Sequence, residues 1–490
     1  MGICRRQFGS VALGGLAARA FPAPLRTPKL LVLVVLEQLR PEHLDTVMSR
    51  SSPGGLRKLL YQGAHFPDCR HLASTFPASS IATLATGAWP SQHGIVAGTW
   101  FDTAAKKLVG ASSEALLATT LCQQIARAGN RVFVVSTDLS TASLFAGTPQ
   151  AHLYWMDDNA RFTTLGVPPD WLTTYNKAHS IETARNTKWM AVGARAGVPP
   201  LRILSYDPQN PREFLTLYKA SYLCQDAQFD FLTELMTNER IGQGETQDFV
   251  CLLAGSSALL GYEAGGSSPL MLQMALHLDL RLEALLTRLS TIPGENAFNL
   301  VLAGAHGAPP APTADTRARM AVKGEPIAQA VEQALTATGS GHVVRYLYPF
   351  LYLDSSGFRD PEPVRLAAGR AALDLPPVAG YYTAGGACST HDGWEVRFRN
   401  SFHPKRSGDV MLAYRPEYVE DWGPGRGISY GSLYDYDVRV PLCFYGPQFL
   451  PDVFESPVES VDLAPTLARV MGVAQPSSTA GRVLGEAFAE

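Results

Sequence analysis

A continuous apolar run opens the folded part of the sequence. Residues Leu30 to Leu36 are all aliphatic, and the run ends in Glu37. Such a run, rich in branched side chains, is typical of a strand that is buried on both faces of a parallel sheet. Because open α/β sheets place their ligands at the carboxyl ends of strands, we expect Glu37 to lie at the mouth of a site.

Strand-like and helix-like patterns then alternate along the chain. The pattern predicts strands at 131–136, 249–254, 298–303 and 438–445, and helices at 54–63, 117–129 and 269–289. This alternation is typical of an α/β fold, in which helices flank a mostly parallel sheet.

The alternation weakens in two places. Residues 144–248 and 351–426, approximately, are interrupted by proline and glycine clusters and are rich in aromatic residues. We interpret both as cap-like insertions into one domain that spans residues 29–490.

The first residues predict export. Arg5 and Arg6 precede a modest apolar segment, and Ala18-Arg-Ala20 fits a small-residue cleavage site. We interpret residues 1–20 as a twin-arginine export signal, with a disordered basic leader as the alternative, and residues 21–28 as a tether. The mature chain is therefore expected in the bacterial periplasm.

The composition narrows the classes of function that the chain could have. The chain has 490 residues, of which 46% are hydrophobic, and a formal net charge of -3. A large core is therefore possible, while a basic surface for nucleic acid is not indicated. Beyond the signal, no apolar stretch reaches the roughly 18 residues that a transmembrane segment needs.

Thr75 is the main candidate for chemistry. It lies in Ser74-Thr-Phe-Pro-Ala-Ser-Ser80, just before a predicted helix whose N-terminus would favour an anion. Together with Glu37 and the run Thr86-Gly-Ala-Trp-Pro-Ser-Gln-His-Gly-Ile95, it resembles the alkaline phosphatase superfamily, in the branches that use a threonine nucleophile. Later runs, including 404–409, 434–446 and 462–468, extend the resemblance over nearly the whole mature chain. It implies an alkaline-phosphatase-like α/β fold.

The resemblance also implies a site with two zinc ions and a threonine nucleophile. Glu37 and Thr75 match the first aspartate ligand and the nucleophile, and His306 matches one ligand histidine. The other ligand positions are substituted, and they correspond to Ala258, Tyr262, Ala305 and Tyr430. The family's phosphate-binding Asn, Lys and Arg correspond to Gly98, Asp138 and Ser140. A carboxylate at 138 would repel a phosphate dianion.

These substitutions favour a degenerate member that acts as an exported binding protein or pseudoenzyme, with no cofactor and an unknown small ligand or protein as its partner. Thr75 would then be vestigial, its hydroxyl capping the following helix. The alternative is a zinc-dependent hydrolase of phosphate or sulfate esters that uses Thr75 with a rearranged metal site. Glu263, His391, Asp392 and His403 are candidate replacement ligands, so the sequence leaves enzymatic activity open. A weaker hypothesis is a cleft repurposed for an uncharged ligand, with Tyr262 and Tyr430 as aromatic walls.

Overall fold

The computed structural model describes residues 28–309, 320–339, 341–355, 357–390, 393–416, 418–421 and 431–489. The predicted export signal and residues 21–27 of the predicted tether lie outside these ranges. The described strands are β1 (Leu30–Glu37), β2 (Ala64–Arg70), β3 (Thr99–Asp102), β4 (Lys107–Gly110), β5 (Arg131–Ser136), β6 (His152–Met156), β7 (Phe162–Thr164), β8 (Lys188–Trp189), β9 (Arg202–Ile203), β10 (Asp248–Ala254), β11 (Phe298–His306), β12 (Ala321–Val322), β13 (His342–Leu347), β14 (Phe350–Asp354), β15 (Val378–Thr383), β16 (Cys388–Ser389), β17 (Val410–Tyr414), β18 (Val419–Glu420), β19 (Arg439–Tyr445), β20 (Asp452–Val453) and β21 (Val458–Glu459).

The described helices cover both faces of the main sheet and one side of a smaller one. They are α1 (Pro41–Met48), α2 (Leu56–Gln62), α3 (Pro77–Thr86), α4 (Pro90–His93), α5 (Leu121–Arg127), α6 (Leu139–Ala146), α7 (Asp170–Ala178), α8 (Pro211–Lys219), α9 (Tyr222–Asn238), α10 (Ser256–Ala264), α11 (Pro269–Leu289), α12 (Gly324–Thr338), α13 (Glu362–Leu373), α14 (Trp394–Ser401), α15 (Asp435–Val438) and α16 (Leu463–Val470). None of these helices combines the length and the apolar character that a membrane crossing requires.

β1 lies at the centre of the main sheet. The strand order is β20-β2-β19-β11-β1-β10-β5-β6-β7, and β21 pairs with β2. β1 runs parallel to both β10 and β11, while β19 is antiparallel to β11. The sequence prediction of an α/β fold with a central, mostly parallel sheet is confirmed.

The apolar run of β1 divides its side chains between two cores. Leu31, Leu33 and Val35 pack into the core on one face of the sheet. Leu30 and Val32, with the residues that alternate after them, pack into the core on the other face. Each buried aliphatic side chain stabilises the fold by about 1.5–3 kcal/mol, so burial on both faces explains why this strand is apolar throughout.

A smaller antiparallel sheet, ordered β13-β14-β17-β15-β16, has a core of its own. Val331 of α12 and Ala368 of α13 pack with Leu351 of β14 in that core. This sheet overlaps the second predicted insertion, whereas the first supplies β6 and β7 to the main sheet. The boundaries 144–248 and 351–426 themselves stay predictions.

Candidate functional site

Glu37 and His306 meet at the carboxyl edge of the main sheet. They end the neighbouring strands β1 and β11, where their Cα atoms are paired. The His306 Nε2 atom lies 3.8 Å from Glu37 Oε2. Glu37 is only 6% exposed and His306 is fully buried, so these two sequence-predicted residues form a buried contact.

Backbone contacts fasten this edge. The Gln38 N–H donates to the His306 carbonyl at 2.8 Å, and the Ser257 hydroxyl donates to the Glu37 carbonyl at 2.7 Å. The second bond places the first turn of α10 at the end of β1. A Cβ atom on Gly261 would lie 2.1 Å from Gln38 Oε1, so a larger residue there would have to displace the Gln38 side chain. Glycine thus lets α10 pack closely on this edge.

Thr75 is fully buried beside this edge. Its hydroxyl donates to the backbone carbonyl of Ser432 at 2.9 Å. The N-cap of α3 is Phe76, and no side chain caps that helix. The interpretation of Thr75 as a helix cap is therefore wrong: the residue precedes the cap position, and its proton goes to a distant loop.

Asp437 is a buried carboxylate that sequence reasoning missed. The Ser432 N–H donates to Asp437 Oδ2 at 3.1 Å, while Oδ1 has no hydrogen-bond partner among the described residues. Burial raises the pKa of Asp437 to about 6, against the opposing influence of Ser432 and His306. Its backbone carbonyl accepts from the Gly307 N–H at 2.7 Å. Ser432 thus links Thr75 to Asp437.

The substituted ligand positions fall around the same edge. Ala258 and Tyr262 lie four residues apart on α10, both half-buried, and Ala305 is buried in β11 next to His306. Tyr430 lies outside the described residues. That these four positions correspond to substituted metal ligands of the family stays a prediction.

The described donors do not fit a pair of zinc ions. A zinc site takes about four N, O or S ligands, of which a catalytic site draws three from the protein. Methyl side chains at 258 and 305 offer no donor atom. Within the described ranges, no group of three or more His, Cys, Asp or Glu side chains is placed to hold a metal ion.

Two of the candidate replacement ligands are engaged elsewhere. Glu263 forms an ion pair with Arg202, with 2.9 Å between Oε1 and Nη2. The His403 Nδ1 atom accepts from the Lys405 N–H at 3.2 Å. His391 and Asp392 lie outside the described residues.

Asp138 closes a helix N-terminus. Its side chain caps α6, accepting from the Thr141 N–H at 2.8 Å and from the Thr141 hydroxyl at 2.9 Å. Without this carboxylate, the N-terminus of α6 would attract an anion from solution. Ser140 follows in the first turn and is exposed.

A cleft of about 570 Å³ opens beside these residues. Its described lining joins three sequence-predicted positions, Gly98, Ser140 and Tyr262, with Phe76, Leu347 and Tyr348. Thr75, Glu37 and His306 are not among the described lining residues. The buried contact of Glu37 with His306 thus lies outside the described lining of the cleft.

Comparison with known proteins identifies relatives of the whole chain. A model of the family "Type I phosphodiesterase / nucleotide pyrophosphatase" matches residues 31–419. Alkaline phosphatase PhoV of Synechococcus elongatus is 22% identical over 524 aligned residues, covering 95% of this chain and 94% of that protein. Alkaline phosphatase PafA of Elizabethkingia meningoseptica is 21% identical, covering 98% of each.

Solved structures show the same fold. The crystal structure of wild-type alkaline phosphatase PafA superposes with a TM-score of 0.79 at 19% identity, covering 94% of this chain and 99% of that one. Murine ectonucleotide pyrophosphatase / phosphodiesterase 5 gives 0.54 at 15% identity, covering 91% and 96%. The predicted alkaline-phosphatase-like fold is confirmed.

Proposed function

This chain belongs to the type I phosphodiesterase / nucleotide pyrophosphatase family, and from that premise we propose that it is a binding protein that keeps the hydrolase scaffold without two-zinc phosphoryl transfer. The proposal rests on the burial and the hydrogen bond of Thr75. Its side chain is fully buried, and its hydroxyl proton is accepted by a backbone carbonyl.

A threonine nucleophile needs an activating partner. A hydroxyl attacks only when a general base or a metal ion accepts or displaces its proton. The Ser432 carbonyl, which accepts the proton of Thr75, is far too weak a base to remove it. Because Thr75 also has no exposed surface, a molecule in the neighbouring cleft does not reach its hydroxyl without a rearrangement of the residues that cover it.

The charges of the site also favour binding over phosphoryl transfer. Transfer of a phosphoryl group needs positive charge against the developing negative charge of its oxygens. The positions that the resemblance assigns to such contacts hold Gly98, Asp138 and Ser140. A ligand-binding role in the periplasm after export is the finer proposal that follows from the predicted signal.

The test combines metal content with turnover. We expect the mature chain, purified from a periplasmic extract, to carry well under one zinc ion per chain by inductively coupled plasma mass spectrometry. It should also hydrolyse 4-nitrophenyl phosphate and bis(4-nitrophenyl) phosphate no faster than its Thr75→Ala variant. About two zinc ions per chain, with turnover that the Thr75→Ala variant loses, would overturn the proposal.

A metal-dependent ester hydrolase with a rearranged site is the second candidate. The observation that favours it is the carboxylate of Asp437, which interacts electrostatically with His306 and has one oxygen without a hydrogen-bond partner among the described residues. The names of the alkaline phosphatase relatives favour it too. Turnover that needs Thr75, added metal and Asp437 together would establish this candidate.

A further inference from the structure

We propose that the loop between β8 and β9 is a docking surface for a phospholipid bilayer with anionic headgroups. This docking loop, residues 190–201, contains only one polar side chain, that of Arg195. Even so, its residues 192–199 are all exposed. A contiguous apolar stretch on a protein surface is typical of a site that binds another protein or a membrane. The loop is therefore an interaction surface.

Aliphatic side chains give the docking loop and the start of β9 their apolar surface. Val192 and Val198 are 44% and 45% exposed, and Leu201 and Ile203 are 39% and 43% exposed. The Leu201 N–H donates to the Trp189 carbonyl at 2.8 Å, which continues the pairing of β8 with β9. Because successive side chains of an extended chain point to opposite faces, Leu201 and Ile203 share one face. A partner could bury that face together with the two valines.

The docking loop projects from a fixed base. Trp189 is fully buried at its start, with its ring 5.1 Å from that of Tyr222 between centroids. Arg202 at its end pairs with Glu263 of α10, with 2.9 Å between Nη2 and Oε1. The Val192 N–H donates to an amide oxygen of α11, Oε1 of Gln273, at 2.6 Å. The exposed aliphatic side chains are thus held in place by two helices of the main domain.

Two tight turns shape the tip of the docking loop. The N–H groups of residues 194 and 198 donate to the carbonyls three positions earlier, at 3.0 and 3.3 Å. Glycine occupies the third position of each turn, with φ of +76° and +88°, as a type II turn requires. Pro199 and Pro200 follow, and proline has no N–H. Because backbone groups without partners are costly in contact with lipid, this economy of free N–H groups suits a loop that enters a membrane interface.

The charges of the loop and its base select the kind of partner. Lys188, Arg195 and Arg202 are the charged residues of the segment 188–203, which has no acidic residue, although the whole chain has a net charge of -3. Lys188 and Arg195 are exposed. Anionic headgroups attract such cations, and a long arginine side chain can keep its guanidinium among headgroups while its stem lies against apolar surface. Aliphatic side chains beside basic ones are typical of segments that bind at the membrane interface.

Cosedimentation of the full mature chain with lipid vesicles tests the proposal. One set of vesicles contains phosphatidylcholine alone, and the other contains equal parts of phosphatidylcholine and phosphatidylglycerol. We expect at least about tenfold tighter binding to the second set, and weaker binding as added salt screens the charges. Equal binding to both sets, or binding to neither, would overturn the proposal. An acidic protein surface would then be the alternative occupant.

A matched pair of valine variants locates the surface. Val453 on β20 is 46% exposed, like Val198, but it follows Asp452 at the far edge of the main sheet. Val198→Asp should weaken binding to the anionic vesicles about tenfold or more, while Val453→Asp leaves it unchanged. Both side chains are exposed, so both variants should fold, which urea denaturation checks. Equal effects of the two variants would place the lipid contact elsewhere and refute the surface.

A second pair tests the charge. Arg195→Gln should reduce the preference for anionic vesicles about fivefold, which is the effect of one basic residue close to an anionic surface. Arg50→Gln removes an exposed arginine after α1 and should leave the preference unchanged. An Arg195 variant that keeps the full preference would contradict the proposal.

The docking loop goes beyond the proposed function, since neither Thr75 nor the contact of Glu37 with His306 belongs to it. Vesicle binding neither requires nor excludes zinc or turnover. Absence of vesicle binding would therefore leave the binding-protein proposal standing, and zinc-dependent turnover would leave the membrane contact standing.

Discussion

The hydroxyl of Thr75 donates to the carbonyl of Ser432, 357 positions later in the chain, at 2.9 Å. The bond joins the loop before α3 to the segment before α15, so it holds two distant parts of the site together. The bond also gives the hydroxyl a structural role, which can be tested separately from a role as nucleophile.

Thr75→Val should reduce the free energy of unfolding by about 1–3 kcal/mol, because the buried carbonyl of Ser432 then loses its donor at nearly constant side-chain volume. Urea denaturation of the two proteins measures the loss. Thr46→Val is the control, since Thr46 is exposed and its hydroxyl bonds only to a carbonyl within α1. A Thr75→Val protein of unchanged stability would contradict the structural role.

The convergence of Glu37 with His306 was predictable from the sequence, whereas the environment of Thr75 was not. Apolar runs locate buried parallel strands, and residues at the ends of neighbouring strands must meet at one edge. Periodicity carries no information about the direction of a single hydroxyl. The local preference of threonine for capping was therefore overridden by a contact between distant segments.

Asp437 shows a second limit of sequence reasoning. It lies in the run 434–446, which carried part of the family resemblance, but polar residues in such a run are ordinarily assigned to the surface. Its burial arises because Gly307 lets the α15 turn approach β11: a Cβ atom on Gly307 would lie 2.0 Å from the Tyr436 carbonyl oxygen. A contact that depends on a missing side chain elsewhere has no local signature.

Glu420 should make stability depend on pH. It is buried and accepts hydrogen bonds from Tyr346 and Tyr414, and burial raises its pKa from 4.5 to about 7. The folded state then holds the proton more tightly than the unfolded state. The stabilisation is complete below about pH 4.5 and is lost as the pH rises towards 7.

Glu420→Gln should therefore gain about 2–3 kcal/mol of stability relative to the unaltered chain between pH 5 and pH 8, since one pKa unit corresponds to about 1.4 kcal/mol. Urea denaturation at several pH values measures the difference. Glu455→Gln removes an exposed carboxylate and should leave the pH profile of stability nearly parallel to that of the unaltered chain. Parallel profiles for the Glu420 variant as well would refute the prediction.

Two substitutions on α10 should restore zinc binding. Ala258→Asp with Tyr262→His introduces a carboxylate and an imidazole four residues apart, on one face of the helix. The bond from the Ser257 hydroxyl to the Glu37 carbonyl holds the first turn of this helix at the end of β1, where Glu37 contacts His306. Together with Glu37 and His306, the two new side chains would offer four candidate donors, the number that a zinc site needs, and we expect the double variant to retain about one zinc ion per chain after dialysis against excess metal. Ala258→Asn with Tyr262→Phe, which has similar shapes without the new carboxylate and imidazole, should retain no more zinc than the unaltered chain. Equal zinc retention by the unaltered chain and the Asp and His variant would contradict the prediction. It would show that Ala258 and Tyr262 do not prevent metal binding.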